Sequence, residues 1–425
     1  MAMPLAADRT SVQSWRRWIE LWYAAYALLG ATVAGLVPIL LPLIVSRSGT
    51  AVQVGLVMAA VSLGGLSAPL WGSLADRFRL HRALLIGGLL AVTVALIAFA
   101  LIAAPVGWVL LALLAGAGSA GAGTVANLFV VESHPQDEWD RRIGWLQTFY
   151  GGGQVAGLLI AGVLGQSLAR AGLLTAAGLT AVAIAVAWRT VRTAPAGLAI
   201  KPTVTRPAQH GEWSVGSPQR VFHHLSAEAI RQLRPALFSP FGYFLLIWLL
   251  SFAGAAAIFS LYPVLMQQAF GVTPAVSSAA FAVAAGLGMA LYSPAGRWSD
   301  RLGAAWVLRA GLGLRAVAFA GLLSLMFVHG SGAGWEALIA FALVVLAWSL
   351  LSVSSTALTA VLSPIGEGAG LGVYNAISAI AGVVGALLGG WAAGLWGYGA
   401  AAGLALAGAA VGLVLSLVRP FGAKQ

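Results

Sequence analysis

Long apolar runs, interrupted by charges or by Gly and Pro clusters, divide this sequence into twelve candidate helices. Six fall at residues 18–45, 50–73, 82–104, 107–131, 143–168 and 171–189, and six more at 236–267, 274–296, 305–329, 335–361, 369–393 and 397–418. Crossing a hydrocarbon layer takes roughly 20 residues of helix, and these runs meet that length. A transmembrane barrel would need alternating segments of about ten residues, whereas these runs are longer and rich in Ala, Leu and Gly. Residues 190–235 carry Pro195, Pro202, Pro207, Pro218 and Pro235 among basic residues and histidines, the composition of a solvent-side linker. The expected architecture is an all-α membrane protein with six-helix bundles at 1–189 and 236–425 joined by 190–235.

Composition supports a bilayer as the solvent. The chain has 425 residues, 60% hydrophobic and only 8% charged, with a mean hydropathy of +0.92. Soluble domains carry about 25% charged residues, so this chain has too few ionic groups to cover several soluble surfaces. The absence of cysteine excludes disulfides, thiol catalysis and cysteine-ligated metals, and no metal or other cofactor is expected.

The net charge of +11 would point to nucleic acid in a soluble chain, but its distribution gives it another meaning. Twenty Lys and Arg residues lie on the same side of the predicted spans as the N-terminus, the linker and C-terminus included, while only Arg47 and Arg170 lie on the opposite side and Arg315 falls inside a span. By the positive-inside rule both termini and the linker are expected in the cytoplasm of a multi-pass plasma-membrane protein, with no nucleic-acid partner. Arg9, Arg16 and Arg17 precede an apolar stretch too long for a cleavable signal, so the first span is expected to insert uncleaved.

The two halves repeat. Asp76 and Asp300, each followed by Arg, lie 224 residues apart after the second and eighth spans, and Pro38 and Pro263 lie 225 apart. Gly144, Gly153, Gly157 and Gly162 recur as Gly372, Ala381, Gly385 and Gly390 at an offset of 228. A duplicated six-span unit of this kind forms a carrier with its site between the repeats.

The loop after the second span, with Gly72, Leu74, Ala75, Asp76, Arg77 and Arg82, resembles the signature of the major facilitator superfamily, and it recurs at 296–303. Within that superfamily the chain is most similar to the twelve-span drug:proton antiporters, through Pro38 and Pro42 in span 1 and the glycines of span 5. Leu158 stands where their motif has proline and Ala161 replaces one glycine, and the stretch from Leu113 to Gly123 lacks their span 4 arginine. The resemblance implies a functional monomer whose bundles rock about a central site, carrying out proton-linked efflux of a small amphipathic organic compound. Uptake or uniport of a polar metabolite, sugar-like or an organic anion, is the alternative. An enzyme or receptor is disfavoured, because the sequence offers no metal triad, intramembrane dyad or appended domain.

Candidate residues follow from these readings. Gly72, Asp76, Arg77, Arg82, Gly296, Asp300 and Arg301 are expected to gate the cytoplasmic side, a carboxylate there pairing with arginine or with a helix N-terminus; the alternative is a solvated turn. Gly153, Gly157, Gly162, Gly385, Gly389 and Gly390 permit close helix approach, either as a seal between halves or as plain packing. Trp348, Ser352, Ser355 and Thr359 share one helical face and, with Asn127, Tyr150, Gln154, Trp248, Tyr262 and Asn375, are candidates for the cavity wall, although hydroxyls also bond back to their own helix. Ser119, Thr124, Gln147, Ser251, Ser260 and Ser378 are weaker candidates of the same kind. No Asp or Glu lies at a span centre. Glu20 and Glu132 at span ends, and Arg315 inside the ninth span, are therefore the coupling candidates.

Overall fold

The computed structural model describes residues 18–78, 80–135, 138–165, 168–191, 235–328 and 330–418. The linker reading at 190–235 therefore falls almost wholly outside the described residues, as do the side chains of Asp76 and Glu132. The described chain is helical, with no strand among the described residues. Twelve helices are long and apolar enough to cross a membrane. Spans 1 to 6 are Tyr23–Ser48, Ala51–Ala75, His81–Leu101, Pro105–Val131, Arg141–Gly165 and Ala169–Thr190. Spans 7 to 12 are Pro240–Phe259, Pro274–Leu302, Ala304–Phe327, Gly334–Leu362, Ala369–Trp396 and Tyr398–Val418.

Local chemistry sets the span starts. Span 2 opens on a capping box, in which the Thr50 side chain accepts from the Gln53 N–H and the Gln53 side chain accepts from the Thr50 N–H. Thr273 caps span 8 in the same place of the second repeat, with Pro274 in its first turn. Proline then shapes the interiors. Pro38 and Pro42 remove two backbone donors from span 1, and the chain takes a π-helical segment at Ala31–Leu36 just before them.

Two expected continuous spans are broken. The run expected at 236–267 ends as a helix at Phe259, and a second helix, Tyr262–Phe270, follows. Pro263 explains the break, since it cannot donate to the preceding turn and so begins a new helix. The run expected at 50–73 divides into Ala51–Gly65 and Ala68–Phe78, with Pro69 at the start of the second piece. The Pro38/Pro263 correspondence read from sequence thus marks an irregularity in the first span of each bundle, a π-helical segment in a continuous span 1 and a break after span 7.

The halves meet along two seams, span 2 with span 11 and span 5 with span 8. Contact runs from Val52 to Ser62 against Gly394 to Gly382 on one seam, and from Gly151 to Gly165 against Met289 to Pro274 on the other. Both stretches belong to the side away from the start of span 1 and the end of span 12, here called the far side. Toward the opposite, terminal side, Ala68–Phe78 packs on spans 3 and 4 of its own half. A methyl group added at Gly144, Gly152 or Gly296 there would meet nothing within 4 Å. Phe78, Tyr292, Trp298 and Asn375 are exposed. Among the described residues the halves are therefore sealed on the far side and parted on the terminal side.

Candidate functional site

The glycines divide into two classes that sequence alone did not separate. In span 5, Gly153 and Gly157 lie against the backbone of span 1 at Ala27 and Ala31, and Gly35 of span 1 answers from the other side. In span 11, Gly385 and Gly389 lie in the same way against Ala253 and Ala257 of span 7. These four pack spans within a half. Gly162 and Gly390, in contrast, face the other half: Gly162 meets Ala275 and Ser278 of span 8, and Gly390 meets Ala51 and Gly55 of span 2. Small residues at these points let helix backbones approach without side chains between them. The sequence offset pairs Gly157 with Gly385 and Gly162 with Gly390, and the structure keeps both pairs in matching roles.

Between the seams, the C-terminal half holds an aromatic cage in which Trp248 and Tyr374 are buried and Phe252 and Trp348 half-buried. Trp248 lies 5.5 Å from Phe252, 6.0 Å from Trp348 and 5.0 Å from Tyr374, measured between ring centres, and Phe252 lies 5.5 Å from Trp348. Three spans supply these rings, each at a helical spacing that turns it inward. Buried indoles need a partner for their N–H, and Trp248 donates to the Ser378 hydroxyl at 2.7 Å. Trp348 and Ser352 are half-buried on the span 10 face, and the Tyr292 hydroxyl of span 8 approaches both. Phe252 stands next to the crossing of Gly382 with Ser62, which places the cage at the meeting of the halves.

The N-terminal half offers a more polar wall. Tyr26 and Tyr150 stack obliquely at 4.9 Å. The Asn127 amide donates to the Gly123 carbonyl at 2.8 Å and accepts from Gln147 at 3.4 Å, and both amides interact with the Tyr26 hydroxyl. Gly151, next to Tyr150, touches Met289, one turn from Tyr292, so the two walls lie at one depth.

Other candidates are placed elsewhere. Tyr262 is buried, stacks on Phe341 at 3.7 Å and donates to the Ser277 carbonyl at 2.8 Å, within the packing of its own half. Ser355 and Thr359 are buried and donate to carbonyls one turn back in their own helix, with Ser355 also 2.9 Å from the Tyr374 hydroxyl. Ser260 also bonds back to its helix. Gln154 is half-buried beside span 1, and Asn375 is exposed on the helical face that Ser378 and Gly382 continue. Tyr26, Phe252, Tyr292 and Tyr374 were missed by a search for polar groups. Their signal was present in the sequence as aromatics one turn from candidates already chosen, Phe252 after Trp248 and Tyr374 before Ser378.

At the terminal side, Asp300 and Arg301 are exposed at the last turn of span 8, and Gly303 follows with a φ of 90°, a conformation that favours glycine. Arg77 is exposed. Arg82 donates to the Trp188 carbonyl and lies 4.7 Å over its ring, joining span 3 to span 6 within one half. Glu20 accepts from Trp22 at 2.9 Å and from Arg142 at 3.0 Å, with His134 Nε2 2.8 Å away. Arg142 also donates to Glu138 at 2.7 Å. This cluster ties the beginning of span 1 to the span 4–5 connection.

Burial raises the Glu20 carboxyl, but its hydrogen bonds with His134 and Trp22 and the charge of Arg142 outweigh that effect and hold it below its ordinary value. The stabilisation is therefore complete above pH 4.5 and is lost as pH falls through the lowered value. Thermal unfolding followed against pH in detergent should show this acid loss in the wild type. Glu20→Gln should melt lower at neutral pH and lack that component.

The sequence profile of the Major Facilitator Superfamily matches residues 22–294 and 243–424. The chain belongs to the major facilitator superfamily. Solved structures of transporters share its fold at low identity. The nucleoside transporter NupG aligns with a TM-score of 0.68 at 13% identity, covering 94% of this chain and 96% of that one. A bacterial homologue of the human lysosomal transporter Spinster, inward-facing and unoccupied, aligns at 0.67 and 15%, covering 98% and 96%. The xylose transporter XylE from E. coli, in a partially occluded inward-open conformation, aligns at 0.63 and 13%, covering 95% and 97%. No curated protein matches the chain significantly. The superfamily membership makes this chain a membrane transporter of small molecules rather than an enzyme.

Proposed function

We propose that this transporter expels a small amphipathic organic solute by alternating access, drawing on the proton gradient, with its termini in the cytoplasm. The observation that carries the reading is the pairing of the Trp248, Phe252, Trp348 and Tyr374 cage with the amide wall of Asn127 and Gln147 at one depth. Aromatic faces bind a planar apolar body, each contact contributing about 0.5–1.5 kcal/mol beyond area burial, while the amides orient polar groups across the cavity. The direction rests on the span 5 glycines, which resemble the drug:proton antiporter motif with Leu158 in place of its proline and Ala161 in place of one glycine. A second reading, uniport or uptake of a polar metabolite, is supported by the lack of a carboxylate at a span centre to relay protons.

The test is a solute screen in proteoliposomes with and without an imposed pH gradient. The efflux reading expects gradient-dependent movement of amphipathic compounds, reduced about tenfold by Trp348→Ala, the loss matching one or two aromatic contacts. Gradient-independent movement of sugar-like solutes alone would establish the second reading instead.

A further inference from the structure

Arg315 is the one guanidinium fully buried among the described residues, and it sits within span 9 with neighbours that leave two of its three nitrogens unsatisfied. Its Nη1 donates to the Ser251 hydroxyl of span 7 at 3.5 Å, and its Cζ lies 5.9 Å from the centre of the Trp348 ring. Tyr374 of span 11 is near enough to interact with its charge. Nε and Nη2 have no hydrogen-bond partner and almost no exposed surface. Carboxylates of the described chain in this half, Asp300, Glu336 and Glu367, occur at exposed helix ends, and no ion pair to Arg315 is formed among the described residues.

The covalent geometry of arginine makes this pattern specific. Nε–H and the adjacent Nη2–H point in parallel from one edge of the planar guanidinium, at the spacing of the two oxygens of a carboxylate. The edge left without a partner is thus a complete bidentate site rather than two scattered donors. A cation buried in a bundle without a counter-charge is costly, whereas the hydroxyl of Ser251 satisfies only one N–H and neutralises nothing. The ring standing over the guanidinium, Trp348, is half-buried and belongs to the aromatic cage. A ligand stacked on Trp348 is therefore close to the guanidinium.

We infer that the transporter recognises aromatic organic anions, with the solute's carboxylate held by the Nε and Nη2 edge of Arg315 and its ring held against the half-buried faces of Trp348 and Phe252. The inference rests on the cage being the solute site and holds for either direction of transport. Arg315 is then the residue that selects for charge, and the cage selects for shape.

Binding of 2-naphthoate and of its neutral counterpart 2-naphthamide to the purified chain, measured by thermal shift and isothermal titration, separates these roles. Wild type should bind naphthoate more tightly than naphthamide. Arg315→Gln should weaken naphthoate about tenfold or more, in line with losing a charge-assisted pair, and leave naphthamide unchanged. Ser251→Asp places a carboxylate beside the guanidinium; it should raise thermal stability and abolish the preference for naphthoate, which keeps the test valid if Arg315→Gln folds poorly. Equal binding of the acid and the amide by wild type, undiminished naphthoate binding by Arg315→Gln, or displacement of naphthoate by phosphatidylglycerol in the micelle would overturn the inference. Trp348→Ala should weaken both probes. If it does while the acid shows no preference, the cage stands and the anion assignment fails; if neither probe depends on Trp348, the cage itself fails.

Discussion

Gly390→Val should shift the transporter away from its far-side-sealed conformation without unfolding it. A side chain at position 390 would begin 2.7 Å from the Gly55 Cα and 2.8 Å from the Ala51 carbonyl oxygen, well inside ordinary contact, and both neighbours are backbone that cannot rotate away. Overpacking of this kind costs about 1–3 kcal/mol. The cost falls only on the conformation in which span 2 and span 11 touch, so it should change the ratio of the two conformations about 5- to 150-fold. Gly389→Val is the control, because the adjacent glycine faces Ala257 of span 7 in its own half, with a would-be methyl 2.6 Å from the Ala257 Cα. That variant should lower the melting temperature and leave the conformational ratio nearly unchanged. Labelling of a single introduced cysteine at Asn375, exposed toward the terminal side, reads the ratio: Gly390→Val should slow labelling and Gly389→Val should not.

How far the sequence foretold this arrangement differs with the kind of information. Span number and the internal repeat were legible because the bilayer imposes length and apolarity on every helix, and proline imposes its break wherever it falls. Pro263 ended a helix that hydropathy alone ran through to residue 267, since a hydropathy pattern reports solvent preference and not backbone donors. The glycines show the opposite limit. Gly389 and Gly390 are chemically identical neighbours, yet a turn of about 100° per residue sends one to the bundle interior and the other to the opposing half. No sequence period distinguishes those partners, because both are small-residue helix surfaces.

The candidate site was legible in part for a related reason. A polar residue within a span draws attention because lipid cannot satisfy it, and that reasoning reached Asn127, Ser352 and Arg315. It also collected Tyr262, Ser355 and Thr359, whose hydroxyls are satisfied locally. Aromatics such as Phe252 and Tyr374 pass unnoticed in an apolar run, and only the three-dimensional meeting of three spans makes them a cage. The free edge of Arg315 is likewise invisible in sequence, because it depends on which nitrogen meets Ser251.

The claim on which the account stands is that the two halves rock, so that parting on one side accompanies sealing on the other. Spans 2 and 11 allow this to be read at both ends of one helix pair, and the lack of native cysteine permits clean labelling. Val52 and Gly394 touch across the far-side seam, a methyl at 394 lying 2.7 Å from the Val52 Cγ2, while Phe78 and Glu367 are exposed at the terminal ends. Spin labels on Val52→Cys with Gly394→Cys, and separately on Phe78→Cys with Glu367→Cys, give two distance distributions in lipid nanodiscs. The prediction is two populations for each pair with opposite weights, short far-side distances matching long terminal-side ones, and a Gly390→Val background that enlarges the long far-side and short terminal-side populations together. Distances that stay single at both ends, or that lengthen and shorten together, would contradict it.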